Sequence, residues 1–350
     1  LTRTRDFVSA MRERREEVAL LEMWEIGKPY ADCLKEFDRT VAYIEDTIEE
    51  LERLQRDTAA PKTAGGIAAC IRRAPLGPVL CMGPYNYPLN ENFATLIPAV
   101  MMGNPVVVKL PKYGMLCNLP LLDAFASCFP PGAINIINGD GPTVVRPIME
   151  SGLISVFAFI GSSQAANAIE RYHPRPNRLR RIYGLEAKNP AVILRDADLA
   201  VAIRECVTGT LSFSGQRCTA IKHLWVEEPI ADEFLASFAQ AVNQLQRGMP
   251  WEDHVRITPL PQANKVAYLS ALVDDAVQKG ARIVNSGGGE SVGTLFVPAI
   301  LYPVTPAMRV FQEEQFGPVI PITPFRDLQE ILASAAASEY GQQFSVFGAD

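Results

Sequence analysis

Apolar residues recur at helical spacing through the first part of the chain. The pattern predicts a helix over 6–26, which stops at the helix-ending sequence Gly27-Lys28-Pro29. A second helix is predicted over 33–56, because apolar residues at alternating spacings of three and four form one stripe between charged flanks. The stripe consists of Leu34, Phe37, Val41, Ile44, Ile48 and Leu51. We interpret it as a face that packs on its own domain, with a coiled-coil seam as the alternative.

The segment that follows is short and rich in turn residues. Residues 60–66 are small or turn-forming, and 67–73 is predicted to be a strand that leaves them. We interpret 60–75 as a hairpin-like excursion from the first domain, directed toward a partner subunit.

From Leu76 onward, short β-rich runs alternate with amphipathic helices. The predicted order is strand 79–82, helix 90–102, strand 106–109, helix 116–128, strand 134–137, helix 144–151 and strand 156–160. This alternation predicts an α/β domain with a parallel, doubly wound sheet that helices cover on both faces. Ligands of such sheets bind at the carboxyl ends of the strands.

A second α/β unit is predicted after Tyr183. Its elements are helix 199–211, strand 224–226, helices 231–246 and 262–279, and strands 282–285, 295–301 and 319–325. We therefore divide the chain into two domains, 1–184 and 185–350, with the active site in the cleft between them.

Composition and charge narrow the classes of function. The 33 Lys and Arg against 39 Asp and Glu give a formal net charge of −6, so the chain lacks the basic field of proteins that bind nucleic acid or anionic membranes. Its seven cysteines include no C-x-x-C pair, and its three histidines lie far apart, which favours reduced thiols over a metal site. No apolar run reaches the ~20 residues of a membrane helix. We expect a cytoplasmic protein without a metal.

One cysteine stands in an unusual setting. The sequence Phe213-Ser214-Gly215-Gln216-Arg217-Cys218-Thr219-Ala220 places it after a flexible Ser-Gly turn and beside a cation. A neighbouring positive charge favours the thiolate, which is the nucleophilic form of cysteine. Cys218 is therefore the first candidate nucleophile, and the alternative is a small apolar core residue.

Further polar residues lie at the ends of predicted strands. Asn86, in Pro84-Tyr85-Asn86-Tyr87-Pro88, directly follows a strand, where its amide could donate to a developing oxyanion. Lys109 ends a strand of valines and Lys112 comes three residues later, a placement that suits a ribose hydroxyl or a phosphate. The alternatives are a turn without chemistry and exposed surface lysines.

Two more motifs border strands. Gly161-Ser162 opens a helix and offers backbone N–H groups to an anion. The dinucleotide fingerprint G-x-G-x-x-G is absent, so a cofactor would bind by another route. Glu314 and Phe316 lie in Gln312-Glu313-Glu314-Gln315-Phe316-Gly317-Pro318 before a strand, and a solvated acidic face is the alternative there.

The motifs follow one another in a characteristic order. They are Pro-Tyr-Asn-Tyr-Pro, Val-Val-Lys, Phe-Ile-Gly-Ser-Ser, Gly-Gln-Arg-Cys-Thr and Glu-Glu-Gln-Phe-Gly-Pro. In this order the chain resembles the aldehyde dehydrogenase superfamily over nearly its whole length, and within it the NADP-dependent, non-phosphorylating glyceraldehyde-3-phosphate dehydrogenases. The resemblance implies a cofactor-binding domain over 1–184 and a catalytic domain over 185–350.

The resemblance also implies a mechanism. Cys218 attacks the aldehyde to give a thiohemiacetal, and the Asn86 amide with the Cys218 backbone N–H stabilises its oxyanion. Hydride passes to the nicotinamide, and water hydrolyses the thioester to the acid. The substrate-binding residues implied are Arg217 and Tyr87, at positions that contact the phosphate of glyceraldehyde 3-phosphate in the similar enzymes. Because arginine pairs with either anion, a semialdehyde dehydrogenase of the same superfamily is the alternative.

A set of cofactor-binding residues follows from the same resemblance. Lys109 is implied to hold the adenosine ribose, Gly161 and Ser162 the pyrophosphate region, and Glu314 with Phe316 the nicotinamide ribose and ring. Many NAD-preferring relatives have an acid where this chain has Lys112, and a lysine attracts a 2′-phosphate. We therefore expect NADP rather than NAD.

The general base departs from the family pattern. The family has Leu-Glu-Leu-Gly-Gly-Lys at a strand end, whereas this chain has Gly184-Leu185-Glu186-Ala187-Lys188-Asn189-Pro190. Anchoring the alignment on Lys-Asn-Pro puts Gly184 at the position of the base, and anchoring it on Leu-Glu keeps Glu186. Residues two apart on a strand share a face, so we assign Glu186 as the base.

Two other departures concern the helix after Gly161 and the ends of the chain. Ala166 replaces a glycine that the family often has one turn into that helix. The similarity begins and ends inside the family fold, so we expect the catalytic domain to be incomplete at its C-terminus, and a homodimer or homotetramer if the native chain is complete. A non-catalytic protein of the same fold is the remaining alternative.

Overall fold

The computed structural model describes residues 1–349, with Ala59 described by its backbone alone. Contacts between Cα atoms divide the chain into two units, which are described one at a time. Unit 1 comprises Leu1–Ile26 and Tyr30–Leu185, and unit 2 comprises Gly27–Pro29 and the chain from Glu186 onward. None of the described helices is long and apolar enough to span a membrane.

Three helices begin unit 1: α1 (Thr2–Arg12), α2 (Arg15–Ile26) and α3 (Tyr30–Ala59). The prediction of a single helix over 6–26 is wrong, because the chain breaks between α1 and α2. The break allows the two halves to pack on different partners: α1 contacts α3 and the helix at 122–128, whereas α2 contacts α3 and the 3₁₀ turn at 116–121. Four residues of the apolar stripe of α3, Phe37, Val41, Ile44 and Ile48, are buried in the core of this unit, which confirms the interpretation of the stripe as a packing face.

A small antiparallel hairpin follows α3. It consists of β1 (Lys62–Ala64) and β2 (Ile67–Ala69), and all six of its residues are exposed. The predicted strand over 67–73 therefore ends earlier than expected, but the hairpin-like excursion is present.

The sheet of unit 1 has five parallel strands in the order β5-β4-β3-β6-β7. In chain order the elements are β3 (Val79–Met82), α4 (Asn90–Met101), β4 (Val106–Lys109), α5 (Leu122–Cys128), β5 (Ile134–Ile137), α6 (Gly141–Glu150), β6 (Val156–Ile160), α7 (Ser163–Glu170) and β7 (Arg180–Gly184). Alternate residues of β3 belong to two different apolar clusters. Val79 and Cys81 pack in one cluster, and Leu80 and Met82 pack in the other. Both faces are thus covered, as the doubly wound prediction requires.

The chain runs from β3 outward through β4 and β5, and then returns to the other side of β3 for β6 and β7. The switch of direction lies between β3 and β6, and ligands of open α/β sheets bind at the carboxyl edge at such a switch. Strand β7 was not predicted, because its Arg180-Arg181 start is charged. The structure explains the strand as a sheet edge on which Arg181 pairs with Glu170.

The sheet of unit 2 has the order β10-β13-β14-β9-β8-β15, and all its pairs are parallel except β10 with β13. Its elements are β8 (Pro190–Ile193), α8 (Leu199–Leu211), β9 (His223–Glu227), α9 (Ala231–Asn243), α10 (Lys265–Gln278), β10 (Arg282–Ile283), β11 (Ser291–Val292), β12 (Leu295–Phe296), β13 (Ala299–Tyr302), α11 (Arg309–Gln312), β14 (Val319–Phe325), α12 (Leu328–Ala337) and β15 (Ser345–Phe347). The single strand predicted over 295–301 is wrong. It is divided before Pro298, which has no N–H to donate to a ladder, and β12 pairs with β11 instead.

Candidate active site

The carboxyl edge of the sheet in unit 1 carries a nearly buried lysine. Lys109 is the last residue of β4, in register with Met82 of β3, and is only 7% exposed. Burial lowers the pKa of its ammonium, and the Asp140 carboxylate opposes that shift. A cation therefore lies one strand from the switch of direction.

The opening of α7 lies on the other side of β3. Ser162 caps this helix, because its hydroxyl accepts a hydrogen bond from the Ala165 N–H at 3.2 Å. A Cβ at Gly161 would approach the Phe159 ring to 2.7 Å, so this ring packs closely over the glycine and would have to shift for a larger residue. Ala166 is fully buried one turn later. The positive end of α7 thus lies at the carboxyl edge of β6, where an anion is favoured.

A buried carboxylate fixes the turn that contains Asn86. Glu36 Oε1 accepts hydrogen bonds from the N–H groups of Leu89 (3.0 Å) and Asn90 (2.9 Å), where the turn enters α4. Asn86 itself is 2% exposed, whereas Tyr87 is half-buried. The sequence did not single out Glu36, since one acid within a long amphipathic helix carries no distinguishing signal.

The turn before Cys218 has a strained backbone. Phe213 (φ 48°) and Ser214 (φ 52°) both lie in the left-handed region, and Gly215 follows with φ 73°. A Cβ on Gly215 would lie 2.6 Å from the Gly317 carbonyl oxygen. Left-handed non-glycine residues cost about 1–3 kcal/mol each and concentrate at functional sites. Their presence here indicates that the surrounding contacts hold the cysteine segment in one conformation.

Cys218 differs from the buried cysteines of the chain. All seven thiols are free, and Cys218 is partly exposed. Burial raises the pKa of Cys81 to about 11 and that of Cys206 to about 12, so these two thiols stay protonated at neutral pH. Next to Cys218, the Arg217 guanidinium donates to the Thr219 hydroxyl at 3.2 Å.

The carbonyl of Cys218 is held by two side chains. Lys222 Nζ and Asn189 Nδ2 each donate to this oxygen at 2.8 Å. Lys222 Nζ also forms an ion pair with Glu314 Oε1 at 2.7 Å, and the Ala187 N–H donates to the same oxygen at 3.1 Å. The nucleophile segment, Glu314 and the entry to β8 thus form one hydrogen-bonded network.

The predicted residues of unit 2 lie at the amino edge of its sheet. Glu186 precedes β8, Cys218 precedes β9, and Glu314 and Phe316 precede β14, and these three strands are neighbours. The carboxyl-edge rule therefore describes unit 1 but not unit 2. Among the described residues, no group of three or more His, Cys, Asp or Glu side chains is arranged to bind a metal.

Sequence comparison decides the family. The profile of the aldehyde dehydrogenase family matches residues 3–350. The chain belongs to the aldehyde dehydrogenase family. This confirms the predicted resemblance, the α/β fold with parallel sheets, and an oxidoreductase that acts on aldehydes.

Individual relatives of this aldehyde dehydrogenase have closely related names. The NADP-dependent glyceraldehyde-3-phosphate dehydrogenase of Streptococcus equinus is 37% identical over 339 residues, which are 95% of this chain and 70% of that protein. The crystal structure of the NADP-dependent glyceraldehyde-3-phosphate dehydrogenase from Bacillus halodurans C-125 complexed with NADP has a TM-score of 0.92 at 34% identity, covering 100% of this chain and 74% of that one. The mitochondrial succinate-semialdehyde dehydrogenase of Oryza sativa subsp. japonica is 30% identical over 336 residues, covering 95% and 63%.

Both candidate positions for the base are close in sequence to the boundary between units 1 and 2 of this aldehyde dehydrogenase, which lies after Leu185. Gly184 ends β7, and its carbonyl accepts from the Gly161 N–H at 3.0 Å. Glu186 is half-buried in unit 2. The pKa of Tyr340 is raised by burial and further by the carboxylates of Glu186 and Glu314, so Glu186 lies within electrostatic reach of Tyr340.

Lys265 is a neighbour of the site that sequence reasoning missed. The ring of Phe316, whose own φ is 41°, has Lys222 Nζ at 5.7 Å and Lys265 Nζ at 6.0 Å from its centroid. Burial lowers the pKa of Lys265 to about 8, and the Glu314 carboxylate opposes that shift. One signal was present, because Lys265 is the first residue of α10, where the helix dipole disfavours a cation.

Proposed function

We propose that this aldehyde dehydrogenase oxidises glyceraldehyde 3-phosphate to 3-phosphoglycerate with NADP, using Cys218 as the nucleophile. The observation that carries the proposal is the site of Cys218: a partly exposed thiol after a strained turn, with its carbonyl held by a buried ammonium. In this proposal unit 1, which largely matches the predicted domain 1–184, binds the cofactor, and unit 2 contributes the nucleophile and the base.

The thiolate of Cys218 adds to the aldehyde carbon, which forms a C–S bond and an oxyanion. The Asn86 amide and the Cys218 N–H donate to that oxyanion. Collapse of the thiohemiacetal releases a hydride and leaves a thioester, and the bound cofactor supplies the hydride acceptor. Glu186 takes a proton from water, which attacks the thioester and returns the Cys218 thiol with the acid as product.

The residues of unit 1 fit a dinucleotide phosphate. Lys109 supplies a nearly buried cation one strand from the switch of direction, and Gly161-Ser162 opens α7 at the end of β6, on the other side of β3. Lys112 is exposed, so its ammonium is accessible to a 2′-phosphate. In unit 2, Glu314 and Phe316 are assigned to the nicotinamide ribose and ring. Both the Streptococcus and the Bacillus relatives are named as NADP-dependent, which supports the choice of cofactor.

Arg217 and Tyr87 are assigned to the anionic group of the substrate. The phosphate is preferred because the Streptococcus relative, at 37% identity, is named for glyceraldehyde 3-phosphate. A semialdehyde is the second candidate, since a guanidinium also pairs with a carboxylate and the rice relative is named for succinate semialdehyde. A comparison of kcat/KM for the two aldehydes distinguishes the candidates.

Self-association is the proposed quaternary arrangement. The hairpin of β1 and β2 is exposed and carries Ile67, and Ile71 just beyond it is also exposed. Light scattering with and without Ile67→Lys tests whether this excursion holds two copies together.

The central experiment measures NADPH formation from glyceraldehyde 3-phosphate without inorganic phosphate, for the wild type and for Cys218→Ser. Steady turnover that disappears in the variant is the expected result. A single burst without turnover would mean that the acyl-enzyme forms while Glu186 fails as its base. Repeating the measurement with Gly184→Glu then tests the other alignment, which places the base at position 184. The new Cβ would lie 3.3 Å from Ile160 Cγ1, so the Ile160 side chain would have to shift slightly to admit the glutamate. No burst with any aldehyde would favour the non-catalytic alternative.

A further inference from the structure

The network around Lys222 contains a charge that the proposed mechanism does not use. The side chain of Lys222 is 1% exposed, although it lies only four residues after Cys218. Its Nζ contacts the nucleophile's own carbonyl at 2.8 Å and Glu314 Oε1 at 2.7 Å. A buried ammonium is costly unless anions or dipoles surround it, so its placement needs a physical reason.

We propose that Lys222 is a positioning residue that favours the thiolate of Cys218 and, with the same ammonium, fixes the carboxylate of Glu314. This inference rests on the proposed function only in naming Glu314 as a cofactor-binding residue. Its electrostatic part concerns Cys218 alone and holds for any aldehyde. The nucleophile and the cofactor-binding carboxylate are then linked through one side chain.

The charges that face Lys222 support this arrangement. Burial lowers the pKa of Lys222, whereas Glu314 and Cys218 both favour its charged form. The interaction is reciprocal, so an ammonium that gains from a nearby thiolate stabilises that thiolate in return. Two cations, Arg217 on the cysteine segment and Lys188 before β8, repel Lys222, and Glu314 offsets them.

The backbone around Lys222 limits where its ammonium can go. Its N–H donates to the Asn189 carbonyl at 2.8 Å, and its carbonyl accepts from Gln315 Nε2 at 2.9 Å. Lys222 is thus tied both to the entry of β8 and to the segment that carries Glu314. With its backbone fixed and its side chain only 1% exposed, Lys222 has little freedom to move its ammonium away from the Cys218 carbonyl.

Asn189 provides a matched control within the same network. Its Nδ2 donates to the same Cys218 carbonyl at the same 2.8 Å, but it carries no charge. If Lys222 acted only as a tether for the backbone, loss of either donor would have a similar effect. If its charge matters, only the loss of Lys222 changes how the reactivity of Cys218 depends on pH.

The test is the rate of Cys218 alkylation by iodoacetamide as a function of pH, without substrate. It is done in a Cys70→Ser/Cys128→Ser background, because those two thiols are also accessible. Lys222→Met should raise the pH at which the rate reaches half of its maximum by about 1 unit, and slow alkylation at pH 7 about tenfold. Asn189→Ala should leave that midpoint where it is. Equal shifts in both variants, or a shift in neither, would overturn the proposal.

Lys222→Gln keeps the test decisive if Lys222→Met does not fold. This variant removes the charge but keeps a side chain that can donate to the Cys218 carbonyl, so the midpoint should still move to higher pH, and an unchanged midpoint would also overturn the proposal. Lys265→Met removes a cation near Glu314 that has no bond to Cys218, and its midpoint should match the wild type. Because alkylation needs neither aldehyde nor cofactor, a protein without turnover would refute the proposed function and leave this result intact.

Discussion

The residues assigned to the site lie at opposite edges of the two sheets, each within its own unit, and different local features hold them there. In unit 1 the assigned residues follow the carboxyl ends of β3, β4 and β6, on either side of the switch of direction. In unit 2 they precede the amino ends of β8, β9 and β14. The first arrangement comes from regular strand ends and a helix cap, whereas the second comes from a strained turn and buried lysines.

Backbone strain shows the same contrast. Among the described residues, all non-glycine residues with positive φ lie in unit 2, and three of them belong to the site: Phe213, Ser214 and Phe316. A binding surface can be assembled from relaxed geometry, because it needs only donors and charges at strand ends. A nucleophilic thiol, the role proposed for Cys218, needs one fixed orientation, and the strained turn before it is the feature that would provide this orientation.

The largest expected effect tests whether unit 1 contributes to catalysis as well as to cofactor binding. Asn86→Ala removes the side-chain amide assigned to the oxyanion, and kcat should fall about 10²–10³-fold. KM for NADP should change little, because Lys109 and the opening of α7 are untouched. Steady-state kinetics with Asn86→Asp as the matched variant, which keeps the shape but loses the donor, should give a similar loss. A kcat near that of the wild type in both variants would confine unit 1 to cofactor binding.

Substitutions at two glycines, one at each edge, compare the stability of the unit 1 and unit 2 edges directly. Gly215→Ala places a methyl group 2.6 Å from the Gly317 carbonyl oxygen at a φ of 73°, so the strained turn should be destabilised by about 1–3 kcal/mol. Gly161→Ala meets only the Phe159 ring, a side chain that can shift, so its effect should be smaller. Thermal unfolding midpoints and Cys218 alkylation rates measure the difference. Equal losses at the two positions would contradict the contrast between a strained and a relaxed edge.

The third prediction tests whether Lys112, at the unit 1 edge, contributes to the preference for NADP. Lys112→Glu replaces an exposed ammonium with a carboxylate, so KM for NADP should rise about tenfold while KM for NAD stays similar. Lys62→Glu, the same charge change on the exposed hairpin, is the control and should leave both values unchanged. If Lys112→Glu changed KM for NADP and KM for NAD equally, Lys112 would not contact the 2′-phosphate.

The same contrast explains what the sequence could predict. Lys109 and Gly161 were singled out because strand and helix periodicity places them at the ends of elements, and the parallel, doubly wound sheet of unit 1 follows from that alternation, although its strand order does not. Lys222 and Asn189 were not found, because their roles depend on contacts with Cys218 that adjacent letters do not reveal. The break in the first helix also depends on packing partners that are distant along the chain, whereas the division before Pro298 could have been predicted from that proline.

The last prediction concerns stability rather than activity, at a buried lysine near the amino edge of the unit 2 sheet. Lys188 Nζ donates to the carbonyls of Val310 and Glu313 and to Gln315 Oε1, and burial, with Lys222 adding to it, lowers its pKa from 10.5 to about 7. Between these two values the unfolded chain keeps a proton that the native protein loses, so the free energy of unfolding should rise with pH, by up to about 1.4 kcal/mol per unit. Urea unfolding between pH 7 and 9 measures this slope as the difference in unfolding free energy between the wild type and Lys188→Met. Lys279→Met is the control, because it removes a lysine with a more exposed side chain, and it should show the same pH dependence as the wild type. If the difference in unfolding free energy between the wild type and Lys188→Met did not change with pH over this range, Lys188 would keep its charge. Its three hydrogen-bond acceptors would then outweigh the effect of burial.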